Sequence, residues 1–141
     1  MYKVIIIEDD PMVASINKQY VELTSSFHVE ATFKNGILAL QYLQNCTVDL
    51  VILDYYTPQM NGDEFIDQLH AAGMTPAIIM VTSATDAETV RRLISRGVTD
   101  YLVKPFEYDR FKAALERFAK RQEELKTSAS ASDLGQAEID R

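Results

Sequence analysis

The sequence is poor in the residues that mark several classes of protein. Its 141 residues include one cysteine, Cys46, no tryptophan and five glycines, so an intramolecular disulfide scaffold and a collagen-like repeat are excluded. The glycines lie at least eleven residues apart, which excludes the GxGxxG dinucleotide loop and the Walker phosphate-binding loop. The two histidines are not part of an HExxH motif, and a zinc-protease site of that type is therefore excluded.

Long apolar runs are also missing. No run approaches the roughly 20 residues that span a bilayer. The run Val4–Ile7 is too short for the core of a signal peptide, and acidic residues follow it directly. We therefore expect a cytoplasmic protein that makes no membrane contact.

Basic residues are scarce in the first two thirds of the chain. Residues 1–90 carry three lysines and no arginine against twelve acids, whereas residues 91–141 carry eleven bases against nine acids. Because an acidic surface repels nucleic acid, any DNA-binding surface is expected near or beyond the C-terminus. The overall composition, 47% hydrophobic and 25% charged, is typical of a globular domain.

Apolar runs typical of buried strands alternate with stretches of helical periodicity. Strands are predicted over Tyr2–Ile7, Phe27–Phe33, Val48–Leu53, Ala77–Val81 and Asp100–Val103. Helices are predicted over Pro11–Leu23, Gly36–Cys46, Asp63–Ala72, Asp86–Arg96 and Glu107–Leu125. This alternation predicts an α/β fold, with a parallel sheet covered by helices on both faces.

The C-terminal stretch has a different composition. Residues 1–121 are predicted to form one domain, and residues 122–133 to form the end of a helix and a Ser/Ala-rich linker. Residues 134–141 resemble a helix start and are interpreted as the truncated beginning of a further domain.

Charged and polar residues stand where the predicted strands end. Glu8 and Asp9 follow the first strand, Asp54 the third, Thr82 the fourth and Lys104 the fifth. Since parallel strands bring their carboxyl ends to one edge of a sheet, these residues are expected to form one pocket. Three close carboxylates repel each other unless a cation neutralises them, and carboxylate oxygens suit Mg²⁺. Such a pocket can accept a phosphoryl group.

Four motifs carry a family resemblance. They are IIIEDDP (5–11), LDYYTPQMNG (53–62), MVTS (80–83) and YLVKPF (101–106). In order and spacing they resemble the receiver domain of a two-component response regulator, over residues 1 to 121. The resemblance implies a flavodoxin-like (βα)5 three-layer sandwich, with a parallel five-stranded sheet in the order 2-1-3-4-5.

The resemblance also implies a role for each acid of the pocket. Asp54 would accept a phosphoryl group from a sensor histidine kinase, and Asp9 would bind Mg²⁺ directly. Glu8 would act through metal-bound water, and it stands where many receivers have an aspartate. The main-chain carbonyl of Tyr56 would complete the protein ligands of the metal.

Further roles follow from the same resemblance. Lys104 would pair with one phosphoryl oxygen, Thr82 would hydrogen-bond another, and Tyr101 would be the aromatic switch residue. The Lys104–Pro105 peptide bond is expected to be cis. Tyr56 and Ala84 flank the pocket, and a bulky tyrosine opposite a methyl group is expected to shield the phosphoryl group from water.

A narrower resemblance is to regulators paired with citrate and C4-dicarboxylate sensor kinases. It rests on EDDPMV (8–13) and GQAEIDR (135–141). In that group a helix-turn-helix output domain controls transcription. The resemblance implies phosphorylation-dependent homodimerisation through the last two helices, and DNA binding only through the missing output domain.

Other functions remain open on the same residues. A Mg²⁺-dependent phosphohydrolase with an aspartyl nucleophile would usually carry a DxD motif, which is absent. A stand-alone phosphorelay carrier would use the same acceptor without an output domain. An inert interaction module would lack the acceptor or the lysine, and both are present. Asp10 is expected to cap a helix rather than bind metal.

Overall fold

Five parallel strands form a single sheet in the order β2-β1-β3-β4-β5. A computed structural model describes residues 1–83 and 87–139 of the chain, with residues 128–139 described by their backbone alone. The strands are β1 (Tyr2–Ile7), β2 (Phe27–Phe33), β3 (Leu50–Asp54), β4 (Ala77–Thr82) and β5 (Asp100–Val103). The helices are α1 (Pro11–Leu23), α2 (Gly36–Leu43), α3 (Gly62–Ala71), α4 (Ala87–Ser95) and α5 (Tyr108–Ile139). The predicted flavodoxin-like order of elements and strands is confirmed.

The two faces of the sheet bury two separate apolar clusters. Val4 and Ile6 of β1 face a cluster that includes Phe111 of α5, whereas Ile5 and Ile7 face a cluster that includes Phe65 of α3. Because successive side chains of a strand point to opposite faces, a continuous apolar run serves both layers. Helices α1 and α5 therefore cover one face, and α2, α3 and α4 cover the other.

Side-chain caps fix where two helices begin beside the sheet edge. Asp10 accepts hydrogen bonds from the main-chain nitrogens of Met12 (2.9 Å) and Val13 (3.3 Å) and so caps α1, as expected. Asn61 and Glu64 form a reciprocal capping box at the start of α3. These caps hold the loops after β1 and β3, which carry the acidic residues.

Helix α5 is longer than the sequence predicts. It continues through residues 126–133, the stretch predicted as an irregular linker, to Ile139. No proline or glycine interrupts the chain between Pro105 and Gly135, and extending an existing helix is far easier than starting one. The helix over residues 126–133 was not predicted, while the linker assignment of this stretch and the domain boundary at 121 remain predictions.

Within the residues that the structure describes, no helix is both long enough and apolar enough to cross a membrane.

Candidate functional site

The carboxyl ends of β1, β3 and β5 bring the charged side chains of Glu8, Asp54 and Lys104 into one pocket. Glu8 follows β1, and its main-chain nitrogen donates to the carbonyl of Phe33 at the end of the neighbouring strand β2 (2.9 Å). Asp54 is the last residue of β3. Lys104 follows β5, and its main-chain nitrogen donates to the carbonyl of Thr82 (2.9 Å). These backbone hydrogen bonds therefore fix the main-chain positions of Glu8 and Lys104 at the edge of the sheet.

Lys104 reaches across the pocket to two acids. Its Nζ lies 2.7 Å from Oε1 of Glu8 and 3.5 Å from Oδ2 of Asp54. Glu8 is 4% exposed and Asp54 is 7% exposed. Both carboxylates are therefore largely removed from water, where an unpaired charge is costly.

The pocket holds more negative charge than Lys104 can balance. Carboxylate oxygens of Glu8, Asp9 and Asp54 all lie within 4.8 Å of one another. Hard oxygen donors at this spacing suit Mg²⁺, which takes few protein ligands and keeps several waters. Asp9 is exposed to solvent while the other two acids are buried, so the cluster opens to solvent on one side.

Burial and the hydrogen bond between Lys104 and Glu8 have opposite effects on the pKa values of these two residues. Burial raises the pKa of Glu8, the hydrogen bond from Lys104 opposes it, and the charge of Asp54 adds to the rise. Burial alone would lower the pKa of Lys104, but its hydrogen bond to Glu8 and the negative charge of Asp54 outweigh burial and raise it. The lysine therefore stays charged beside the two buried acids.

The remaining predicted residues lie around this centre. The main-chain nitrogen of Tyr56 donates to Oδ1 of Asp54 (3.3 Å), while its side chain is 58% exposed. Thr82 ends β4 and is fully buried. Tyr101 is half-buried and packs on the α2–α3–α4 layer. Ala84 lies outside the described residues, so its expected shielding role remains a prediction.

The Lys104–Pro105 peptide bond is cis, as expected.

Some features of the site were not predicted from the sequence. Thr57 Oγ1 donates to the carbonyl of Met60 (2.7 Å) and closes the loop after β3. Gln59 in that loop adopts a φ of +71°, a conformation that few residues other than glycine adopt. The capping box is visible in the sequence as Asn61 and Glu64 three residues apart, and that pattern could have located the start of α3.

Comparison with known proteins agrees with this geometry. A family model described as the response regulator receiver domain matches residues 4–116. The probable C4-dicarboxylate response regulator DctR of Priestia megaterium is 37% identical over 139 residues, which cover 99% of this chain and 60% of that protein. The transcriptional regulatory protein DcuR of Escherichia coli (strain K12) is 38% identical over 117 residues, which cover 82% of this chain and 49% of that protein.

A third relative is the transcriptional regulatory protein MalR of Bacillus subtilis (strain 168), which is 34% identical over 99% of this chain and 58% of its own length. The chain thus spans between 49% and 60% of the length of these relatives.

Solved structures show the same fold. The signal receiver domain of a putative Luxo repressor protein from Vibrio parahaemolyticus superposes with a TM-score of 0.81 and is 26% identical, over 90% of this chain and 96% of that chain. The response regulatory domain of the protein mrkE from Klebsiella pneumoniae has a TM-score of 0.79 at 24% identity, over 86% of this chain and 98% of that chain.

The family match begins within β1 and ends within α5, so it includes the carboxyl end of every strand of the sheet and the acidic pocket. The three relatives are named as a response regulator or as transcriptional regulatory proteins. This chain belongs to the response regulator receiver domain family.

Proposed function

We propose that Asp54 accepts a phosphoryl group from a sensor histidine kinase. The observation that carries the proposal is the position of Asp54: a buried carboxylate at a strand end, beside Lys104 and within 4.8 Å of Glu8 and Asp9 oxygens. An oxygen of Asp54 forms a bond to phosphorus while the bond from phosphorus to the kinase imidazole breaks, and the imidazole keeps that electron pair. Such transfers depend mainly on positioning and charge stabilisation.

The surrounding residues have separate roles in this proposal. Glu8, Asp9, Asp54 and the main-chain carbonyl of Tyr56 would hold Mg²⁺, which neutralises charge between the acids and the incoming phosphoryl group. Lys104 would pair with one phosphoryl oxygen, and the buried hydroxyl of Thr82 would donate to another. Tyr101, on β5, would change its orientation when Asp54 is phosphorylated and so alter the surface of that strand.

The outcome of phosphorylation is proposed from the relatives. Their names describe transcriptional regulatory proteins and a C4-dicarboxylate response regulator, and this chain spans 60% or less of their length. We propose that phosphorylation favours a homodimer through α4 and α5, and that an output domain of the helix-turn-helix type then binds DNA in the cytoplasm. The kinase would be a sensor of a C4-dicarboxylate or of an organic acid similar to one.

Beryllofluoride with Mg²⁺ is expected to drive dimerisation. The mimic occupies the place of a phosphoryl group on Asp54 and shifts an existing equilibrium of the domain. Sedimentation velocity is expected to show a larger species only when the mimic is present, and amides of α4 and α5 are expected to exchange more slowly. An unchanged oligomeric state together with unchanged exchange would contradict the proposed switch.

Magnesium is expected to stabilise the fold through Asp9. A ligand that binds only the native state adds about 2.7 kcal/mol to the free energy of unfolding when its concentration is a hundred times its dissociation constant. Thermal unfolding in MgCl₂ is therefore expected at a higher temperature than in NaCl of matched ionic strength. The variant Asp9→Ala should lose this rise while unfolding normally without Mg²⁺, because Asp9 is exposed. An equal rise in the variant would place the metal elsewhere.

A further inference from the structure

A charged cluster outside the acidic pocket joins the residue after Asp54 to helix α4. We call it the Asp63 cluster, and it consists of Tyr55, Asp63, Asp67, Arg92 and Arg96. Tyr55 directly follows β3, Asp63 and Asp67 lie on α3, and Arg92 lies on α4 with Arg96 directly after it. None of them is a residue assigned to phosphoryl transfer above.

Both oxygens of the Asp63 carboxylate are occupied. Oδ2 accepts hydrogen bonds from the hydroxyl of Tyr55 (2.6 Å) and from Nη2 of Arg92 (2.8 Å). Oδ1 accepts from Nη1 of Arg96 (3.1 Å) and Nε of Arg92 (3.4 Å). Nη2 of Arg92 also donates to the hydroxyl oxygen of Tyr55 (3.1 Å). A single carboxylate thus links three elements.

The contacts join one face of α3 to the C-terminal end of α4. Asp63 and Asp67 lie four residues apart on α3 and share one helix face. Arg92 lies on α4, and Arg96 directly follows that helix, with its main-chain nitrogen donating to the carbonyl of Arg92 (3.1 Å). Nη1 of Arg96 also donates to the main-chain carbonyl of Asp63 (3.4 Å), and its Nη2 donates to Asp67. The two helices are therefore joined by charge-assisted bonds along a shared edge.

Tyr55 ties this edge to the strand ends. Its side chain is 7% exposed, and a methyl group on Gly62 would lie 2.8 Å from its Cδ2 atom. Its main-chain nitrogen donates to the carbonyl of Val81 (3.0 Å), and its carbonyl accepts from the nitrogen of Gly62 (2.9 Å). Tyr55 is thus fixed between Asp54, which precedes it, and the residue that precedes Thr82.

Helix α4 has little apolar anchorage of its own. Over Ala87–Ser95 it buries only Thr89 and Leu93, whereas α3 buries four residues over Gly62–Ala71. Ile94 is 57% exposed. Because burial of apolar side chains is the main source of helix docking energy, polar contacts must contribute a large part of the attachment of α4.

The charges of the cluster are stable near neutral pH. Burial alone would raise the pKa of Asp63, but hydrogen bonds from Arg92 and Tyr55 outweigh burial and lower it. The same contacts raise the pKa of Arg92 above its usual value. Desolvation raises the pKa of Tyr55, and its bond to Asp63 adds to the rise, so the phenol keeps its proton as a donor.

We infer that the Asp63 cluster is a latch that holds α4 against α3 and sets how readily α4 moves. Tyr55 is the positioning residue that connects the latch to Asp54 and to the strand end at Thr82. Weakening the latch loosens α4 whether or not the domain is phosphorylated. The consequence for signalling rests on the proposed function, since it requires that α4 moves when Asp54 is modified.

Hydrogen exchange on the whole chain tests the latch without any phosphoryl mimic. In Asp63→Asn, amides of α4 are expected to exchange about fivefold faster than in the wild type, while those of α1 and β1 keep their rates. Arg92→Gln removes the partner from the other helix and is expected to give a similar local increase. The matched control Asp67→Asn removes only the outer contact of Arg96 and is expected to change exchange by less than about twofold.

Two results would overturn the latch. One is an α4 exchange rate in both Asp63→Asn and Arg92→Gln that equals the rate in Asp67→Asn. The other is an increase spread evenly over all elements, which reports global destabilisation. Tyr55→Phe, which keeps the ring and removes the hydroxyl, is expected to give a smaller increase than Asp63→Asn and to add little to it in the double variant.

The link to signalling has its own readout. If the latch restrains the proposed switch, Asp63→Asn is expected to reach half-maximal dimerisation at a severalfold lower beryllofluoride concentration than the wild type. Asp67→Asn is expected to need the same concentration as the wild type. An unshifted midpoint despite faster α4 exchange would remove the coupling part of the inference. If the wild type fails to respond to the mimic at all, the proposed function fails, while the exchange experiment still decides the latch.

Discussion

Replacing Asp54 with asparagine is expected to abolish Mg²⁺-dependent phosphorylation by acetyl phosphate. An amide is a poor nucleophile and a weaker cation ligand than a carboxylate, whereas the two side chains have nearly the same shape. Among the three acids of the pocket, Glu8, Asp9 and Asp54, only Asp54 ends a strand. It is also contacted by Lys104 and by the main-chain nitrogen of Tyr56. Intact-mass measurement should show one added phosphoryl group in the wild type and none in Asp54→Asn.

The control for this experiment is another acid next to the pocket. Asp10 caps α1 through Met12 and Val13, and asparagine is an equally good capping residue. Asp10→Asn is therefore expected to fold normally and to gain the full mass of one phosphoryl group. An undiminished mass gain in Asp54→Asn would move the acceptor to another residue, and a complete loss in Asp10→Asn would show that general charge, not the nucleophile, was tested.

The pocket could be predicted because strand ends are marked twice in the sequence. The apolar runs ending at Ile7, Leu53 and Val81 define parallel strands, and a charged or polar residue follows each run. Topology then brings those residues together even though they are distant in the chain. That Lys104 lies in one pocket with Glu8 and Asp54 follows from this rule, whereas its direct contacts with both acids are seen only in the structure.

The Asp63 cluster could not be predicted in the same way. Its acids, Asp63 and Asp67, lie on α3, whereas Arg92 lies on α4 and Arg96 directly follows that helix. Each pair alone is typical of a solvated face. Which helix edges meet depends on how both helices pack on the sheet, and this is decided by buried residues such as Leu93. The length of α5 was not predicted for another reason. A helix that has already formed can add further residues without an apolar stripe, and such a stripe was the basis for the predicted end of the helix.

Replacing Lys104 with methionine is expected to destabilise the domain at neutral pH in the absence of Mg²⁺. The variant leaves the buried carboxylates of Glu8 and Asp54 without their ammonium partner. Removing one partner of a buried ion pair leaves an uncompensated charge and here should cost about 2 to 4 kcal/mol. Urea unfolding at pH 7.5 measures this loss. Lys112→Met, at an exposed position of α5, is the matched control and should change stability by less than about 0.5 kcal/mol.

The pH dependence of that loss separates charge from packing. Burial already raises the pKa of Glu8, and removing the lysine hydrogen bond that opposes burial raises it further. An acid whose pKa is higher in the folded state costs stability as the pH rises from its unfolded value, near 4.3, to its folded value, and the full cost remains above that range. The deficit of Lys104→Met should therefore be large at pH 7.5 and smaller at pH 5. Mg²⁺ should also reduce it at pH 7.5, because a cation bound by the acids replaces the missing charge. A deficit that is the same at both pH values and in Mg²⁺ would mean that Lys104 stabilises the fold through its packed methylene groups instead.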